Sequence, residues 1–177
     1  MERTFSGCEP GRLRSVRICV VDDNGHMGRI VQDMFRGFGV GVVEVHSDAA
    51  AGLRACDDCA FDLIVIDYHM PTIDGLDFTR LVRKSASSKN ALTPIVMVSA
   101  YTEHWRVAAA RDAGVTEVCA KPLSAKELWT KFASIVNSPR AFVRAGEFFG
   151  PDRRRKTEPR EGPERRRDVQ YVQGEKA

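Results

Sequence analysis

Five short apolar runs, spaced so that a helical segment fits between each pair, constrain this chain more than any other feature. They are Ile18-Cys19-Val20-Val21, residues 40–45, residues 61–66, Pro94-Ile95-Val96-Met97-Val98 and residues 115–120. Their length is that of strands, and their near-continuous apolarity is that of strands covered on both faces. Between them, Met27-Gly28-Arg29-Ile30-Val31-Gln32-Asp33-Met34-Phe35 repeats its apolar residues at three and four, the period of an amphipathic helix ending near Gly37 or Gly39. Further helices are expected over 49–55 behind a Ser47-Asp48 cap, over 76–82, over 102–113, and over 124–136, where Ser124 with Glu127 spells a capping box. Strict alternation of strand and helix implies a five-stranded, doubly wound parallel sheet with helices on both faces.

The residue that closes each run matters as much as the run. Asp22 and Asp23 close the first, Asp67 the third, Ser99-Ala100 the fourth and Lys121-Pro122 the fifth. In such a sheet the crevice beyond the carboxyl ends of the strands is where ligands bind. Three carboxylates gathered there repel one another, and a bound divalent cation is the usual reason for them to stay ionised. A hydroxyl and an ammonium arrive at the same edge.

These residues, Val20-Val21-Asp22-Asp23, Asp67-Tyr68-His69-Met70-Pro71 with Asp74-Gly75, Ser99-Ala100 and Lys121-Pro122, come in an order that resembles a CheY-like receiver domain of bacterial two-component signalling. The resemblance spans residues 15–137, after an N-terminal extension over 1–14. It implies the flavodoxin-like receiver fold and a non-enzymatic regulator whose Asp67 accepts a phosphoryl group from a histidine kinase, a phosphotransfer protein or a small acyl phosphate. It implies that Asp23 binds Mg2+ directly, Asp22 directly or through water, Asp67 with a further oxygen, and His69 with its backbone carbonyl while its side chain points to solvent. Lys121 would contact the acceptor carboxylate and then the phosphoryl group, and Ser99 would bond the new phosphate and draw its loop inward. One position departs from the family: the aromatic residue common three places before the lysine is Val118 here. A small β-branched side chain has no ring to relocate, and Tyr101 is the alternative, ranked below simple surface packing.

Residues 138–177 have another character. From Arg140 onward there are eleven Lys or Arg against seven Asp or Glu, so the formal charge of +3 belongs to this segment. Gly150-Pro151-Asp152-Arg153-Arg154-Arg155 returns as Gly162-Pro163-Glu164-Arg165-Arg166-Arg167, with Asp168 next. Three readings are open: a solvated disordered tail, a nonspecific nucleic-acid binder working through phosphates, or a site for a guanine nucleotide. Arginine pairs with guanine O6 and N7 and stacks on the base, and a carboxylate accepts from the guanine amines. Two like modules suit a ligand with two like halves joined by phosphates, which favours cyclic di-GMP and makes nucleic acid the disfavoured partner. The segment also resembles the arginine-rich extension of the Cle proteins, a CheY-like subfamily that binds cyclic di-GMP and acts at the flagellar motor. The resemblance implies a tail disordered when empty, with Arg140, Arg144, Asp152, Arg153 to Arg155, Arg165 to Arg167 and Asp168 around the nucleotide, Phe148, Phe149 or Tyr171 stacking on a guanine, and the flagellar switch as protein partner. The alternative is a phosphorelay receiver whose basic tail meets an acidic partner or nucleic acid.

No stretch has the length of a membrane span and residues 1–14 lack the apolar core of a secretion signal, so a cytoplasmic protein is expected, with recruitment to a flagellated pole as an extension of the Cle resemblance. Five cysteines fit reduced thiols, and Cys56-Asp57-Asp58-Cys59, with no second pair, reads as a surface coincidence.

Overall fold

The computed structural model describes residues 13–85, 88–146, 148–152 and 170–172. Its body is a parallel sheet of β1 (Arg17–Val21), β2 (Val42–His46), β3 (Leu63–Asp67), β4 (Ile95–Ser99) and β5 (Glu117–Ala120), in the order β2-β1-β3-β4-β5. Helices α1 (Gly25–Gly37), α2 (Ala49–Asp58), α3 (Gly75–Lys84), α4 (His104–Ala113) and α5 (Ala125–Asn137) fill the connections. The expected elements are all present, with ends displaced by a few residues. Val40 caps α1 by donating to the Phe35 carbonyl instead of opening β2, and α4 begins two residues later than expected, behind Glu103.

Two cores form because the sheet is covered on both faces. Cys19, Ile64, Ile66, Phe78 and Met97 lie in one, and Ile18, Val20, Leu63, Phe35, Leu128 and Phe132 in the other. Successive residues of β1 and β3 point to opposite faces, so unbroken apolar runs feed both layers. Asp48 and Ser124 cap α2 and α5 by accepting from Ala51 N and Glu127 N. The reciprocal half of the expected capping box is not made: Glu127 Oε1 accepts from Ala120 N and so ties α5 to the end of β5.

The described part of the extension departs most from expectation. The resemblance implies a disordered tail, but Phe142–Ala145 and Phe148–Pro151 form antiparallel strands β6 and β7, and Gln170–Val172 (β8) pairs on the other side of β6. Gly146, at φ 58°, takes the left-handed turn between them, a conformation that hairpin turns require and that glycine adopts without strain. Phe142 and Val143 are buried, and β7 packs on α3 and α4. Beneath it lies Arg83, 4% exposed, whose guanidinium donates to the carbonyls of Gly114 at 3.2 and 3.1 Å and Ala91 at 2.9 Å, and faces the Phe142 ring at 5.0 Å. The modules at Arg153 to Arg155 and Arg165 to Arg167, with Asp168, lie outside the described residues.

Candidate functional site

The sheet register delivers the site. Asp67 is paired with Val98 and Ser99 with Ala120, so the third, fourth and fifth strands end level with one another. Asp22 N donates to His46 O, Tyr68 N to Val98 O and Lys121 N to Ser99 O, which fixes the three connecting loops just where they leave the sheet. Gly75, the first residue of α3, sits so close that an added Cβ would lie 2.5 Å from the Asp67 carbonyl oxygen. Only a residue without a side chain lets the helix approach the Asp67 backbone this way.

At this edge Asp22, Asp23 and Asp67 each offer a carboxylate oxygen, all within 4.8 Å of one another. Asp22 and Asp67 are buried and Asp23 is exposed. Lys121 Nζ lies 2.8 Å from Asp67 Oδ1 and 3.7 Å from Asp22 Oδ2. Burial raises the Asp22 carboxyl above its ordinary range, against the Asn24 N–H that donates to its Oδ1 at 2.9 Å and the nearby ammonium, while Asp67 and Asp23 push the same way as burial. Burial pulls the Lys121 ammonium down, and the hydrogen bond and charge of Asp67, with the charges of Asp22 and Asp23, outweigh it, leaving the net shift upward. One ammonium thus offsets part of three negative charges. An all-oxygen donor set with surplus negative charge fits a hard divalent cation such as Mg2+. The His69 side chain is exposed and lies outside the carboxylate cluster.

Ser99 is buried, and its hydroxyl is committed: it donates to the Tyr101 carbonyl at 2.8 Å and accepts from the Tyr101 N–H at 3.0 Å. Val118, half-buried, packs against the core on which Tyr68 also rests.

Two residues that the strand-end pattern did not single out belong to the neighbourhood. Asn24 orients Asp22 and caps α1, accepting from His26 N and Met27 N; an Asn before a helical period carries that signal. Arg106 lies over the rings of Tyr68 at 5.4 Å, Tyr101 at 4.8 Å and Trp105 at 4.4 Å. No local pattern marks it.

Of the residues expected on the extension, Arg140, Arg144 and Asp152 are among the described ones. Arg140 Nη1 donates to Thr116 O at 3.1 Å, just before β5 begins, whereas Lys121 comes directly after its end. Five residues of extended chain, at ~3.3 Å each, set these two places about 16 Å apart. Arg144 stacks on Phe149 at 4.7 Å, and Asp152 N donates to Ala141 O at 2.7 Å, closing the hairpin.

A family profile described as "Response regulator receiver domain" matches residues 18–133. Among curated proteins, the chain is 31% identical to the chemotaxis protein CheY of Pseudomonas aeruginosa over 120 residues, covering 68% of this chain and 95% of that protein. It is 29% identical to chemotaxis protein CheY-3 of Vibrio cholerae over 122 residues, covering 69% and 92%. Among solved structures, it resembles the receiver domain of the histidine kinase CKI1 from Arabidopsis thaliana complexed with Mg2+ and BeF3-, at TM-score 0.61 and 26% identity, covering 70% of this chain and 94% of that one.

Proposed function

This chain belongs to the response regulator receiver family, and on that premise we propose that it is a phosphoryl-accepting signalling switch with Asp67 as the acceptor. The observation that carries this reading is the 2.8 Å approach of Lys121 Nζ to the Asp67 carboxylate inside a three-carboxylate cluster. A histidine kinase or phosphotransfer protein is the donor that such chemistry fits. An Asp67 oxygen forms the new bond to phosphorus, the donor's phosphorus–nitrogen bond breaks, and the imidazole leaves with the bonding electrons. The demand on the protein is alignment and charge neutralisation. Lys121 holds the acceptor and then meets the phosphoryl oxygens, and Ser99 offers a hydroxyl to the same group. Asp22, Asp23 and Asp67, with the His69 carbonyl, would hold Mg2+, which supplies further neutralisation of the phosphoryl oxygens.

The test uses beryllofluoride, a phosphoryl mimic, with Mg2+ and fluorine NMR. A bound fluoride signal in the wild type and none in Asp67→Asn is the expected result. No bound signal in the wild type would end the reading.

The relatives that bear chemotaxis names favour output through protein contact, with the flagellar motor switch as the partner of choice. A second input rests on the repeated Gly-Pro-acid-Arg-Arg-Arg module, which suits a ligand made of two guanine halves. We read the extension as a cyclic di-GMP site using Arg144, Asp152, Arg153 to Arg155, Arg165 to Arg167 and Asp168, with Arg140 tying its base to the receiver body. Calorimetric titration with cyclic di-GMP tests it: heat in the intact chain that is lost when the six repeated arginines become alanine supports it, and no heat in the intact chain overturns it. Binding that instead collapses steeply with salt and ignores nucleotide identity would point to nucleic acid.

A further inference from the structure

The Ser99 hydroxyl has a single proton to donate, and it spends it on the Tyr101 backbone carbonyl. Tyr101 in turn contacts a guanidinium that touches three rings from two different loops. Tyr68 stands directly after the acceptor Asp67, while Tyr101 and Trp105 belong to the loop and first turn after Ser99. Glu103 Oε2, 3.1 Å from Arg106 Nε, forms an ion pair with the guanidinium from the same turn without a hydrogen bond at that nitrogen. Two rings of the set face solvent: Tyr101 is 54% exposed and Trp105 60%. Exposed aromatics grouped with an arginine are what protein partners bind most strongly. Val118 supplies no ring at this edge.

We propose that Arg106 is the positioning residue that converts a change at Asp67 into a change of exposed surface, through the chain Ser99, Tyr101, Arg106, Trp105. The inference rests on Asp67 being the phosphoryl acceptor. A phosphoryl oxygen is a stronger, charged acceptor than a peptide carbonyl. When one stands on Asp67, the Ser99 hydroxyl turns to it and the Tyr101 carbonyl loses its donor. The loop after β4 is then free to shift, and Tyr101 carries Arg106 with it. Because the planar guanidinium also lies on Tyr68 and Trp105, a shift at Tyr101 reorders the rings on both loops together. The element biased from the acceptor side is thus this stack, and its solvent-facing half is the surface a partner reads.

The experiment records Trp105 fluorescence on addition of Mg2+ and beryllofluoride in a Trp129→Phe background, which leaves Trp105 as the one tryptophan. Fluorine NMR on the same samples reports adduct formation. The expected result is an adduct in all of wild type, Arg106→Lys and Tyr101→Leu, with a shift of Trp105 emission in wild type that is lost in both variants. Lysine keeps the charge and fails to restore the signal because its compact ammonium lacks the broad guanidinium that reaches all three rings at once; a merely structural role for the charge would be rescued. An adduct without any emission shift in wild type overturns the proposal, as does an undiminished shift in Arg106→Lys. Absence of the adduct overturns the phosphoryl-acceptor reading itself, and this inference with it.

Discussion

The Arg83 guanidinium lies 5.0 Å from the centre of the Phe142 ring, and this contact joins β6 to the receiver body. Arg83 is buried against backbone carbonyls, and burial alone lowers it to about 9, so it stays protonated at neutral pH. The ring face supplies electrostatic compensation that water would otherwise give.

Phe142→Ala should therefore destabilise the whole domain by about 3 kcal/mol, the cost of a large cavity at a buried aromatic. Phe142→Leu, which keeps most of the volume but removes the π face, should cost about 1 kcal/mol. Urea denaturation monitored by circular dichroism checks both, and a wild-type midpoint in Phe142→Ala would show that the hairpin is not bound to the body.

The carboxylate cluster makes a second prediction about stability. Asp23 is exposed, yet it shares the edge with two buried carboxylates, so without metal Asp23→Asn should raise the unfolding midpoint by relieving repulsion. At Mg2+ concentrations ten times its dissociation constant the wild type should gain about 1.4 kcal/mol by mass action. The variant should gain little. Thermal unfolding with and without Mg2+ reads both effects, and equal Mg2+ responses would remove Asp23 from the ligand set.

Thiol chemistry offers a third. Burial pushes the Cys119 thiol up to about 11, so at pH 8 about one molecule in a thousand carries the thiolate. Cys19 is raised as well, first by its hydrogen bond with Cys56 and then by burial. Both titrations lie above pH 8, so raising the pH toward 8 leaves these thiols protonated. Cys59 is only half-buried. Iodoacetamide at pH 8, with peptide mass spectrometry as the readout, should label Cys59 well before Cys19, Cys56 and Cys119; prompt labelling of Cys119 in the folded protein would contradict its buried environment.

The parallel sheet and the residues at its edge were legible in the sequence because both are written locally: an apolar run marks a strand, and the polar residue that ends it marks the crevice. Asp22, Asp67, Ser99 and Lys121 are each found at one strand end. The hairpin was not legible in the same way. Phe142, Val143, Phe148 and Phe149 are apolar enough to pair, but Phe142 rests on Arg83 and the Phe149 backbone lies close to Gly114, partners distant in sequence, and the arginines around them give the segment the composition of a tail. Arg106 is similar, since its meaning comes from Tyr68 on another loop. Long-range pairing of charge with aromatic faces leaves no periodic trace.

Asp67 is expected to take a phosphoryl group while Lys121 and the carboxylate cluster neutralise it. Incubation of the full chain with acetyl phosphate and Mg2+, then phosphate-affinity electrophoresis, measures this directly. A retarded band that requires Mg2+, is absent in Asp67→Asn and forms at least ten-fold more slowly in Lys121→Ala, a loss of about 1.4 kcal/mol of transition-state stabilisation, is the predicted result. A band of wild-type intensity in Asp67→Asn would contradict it.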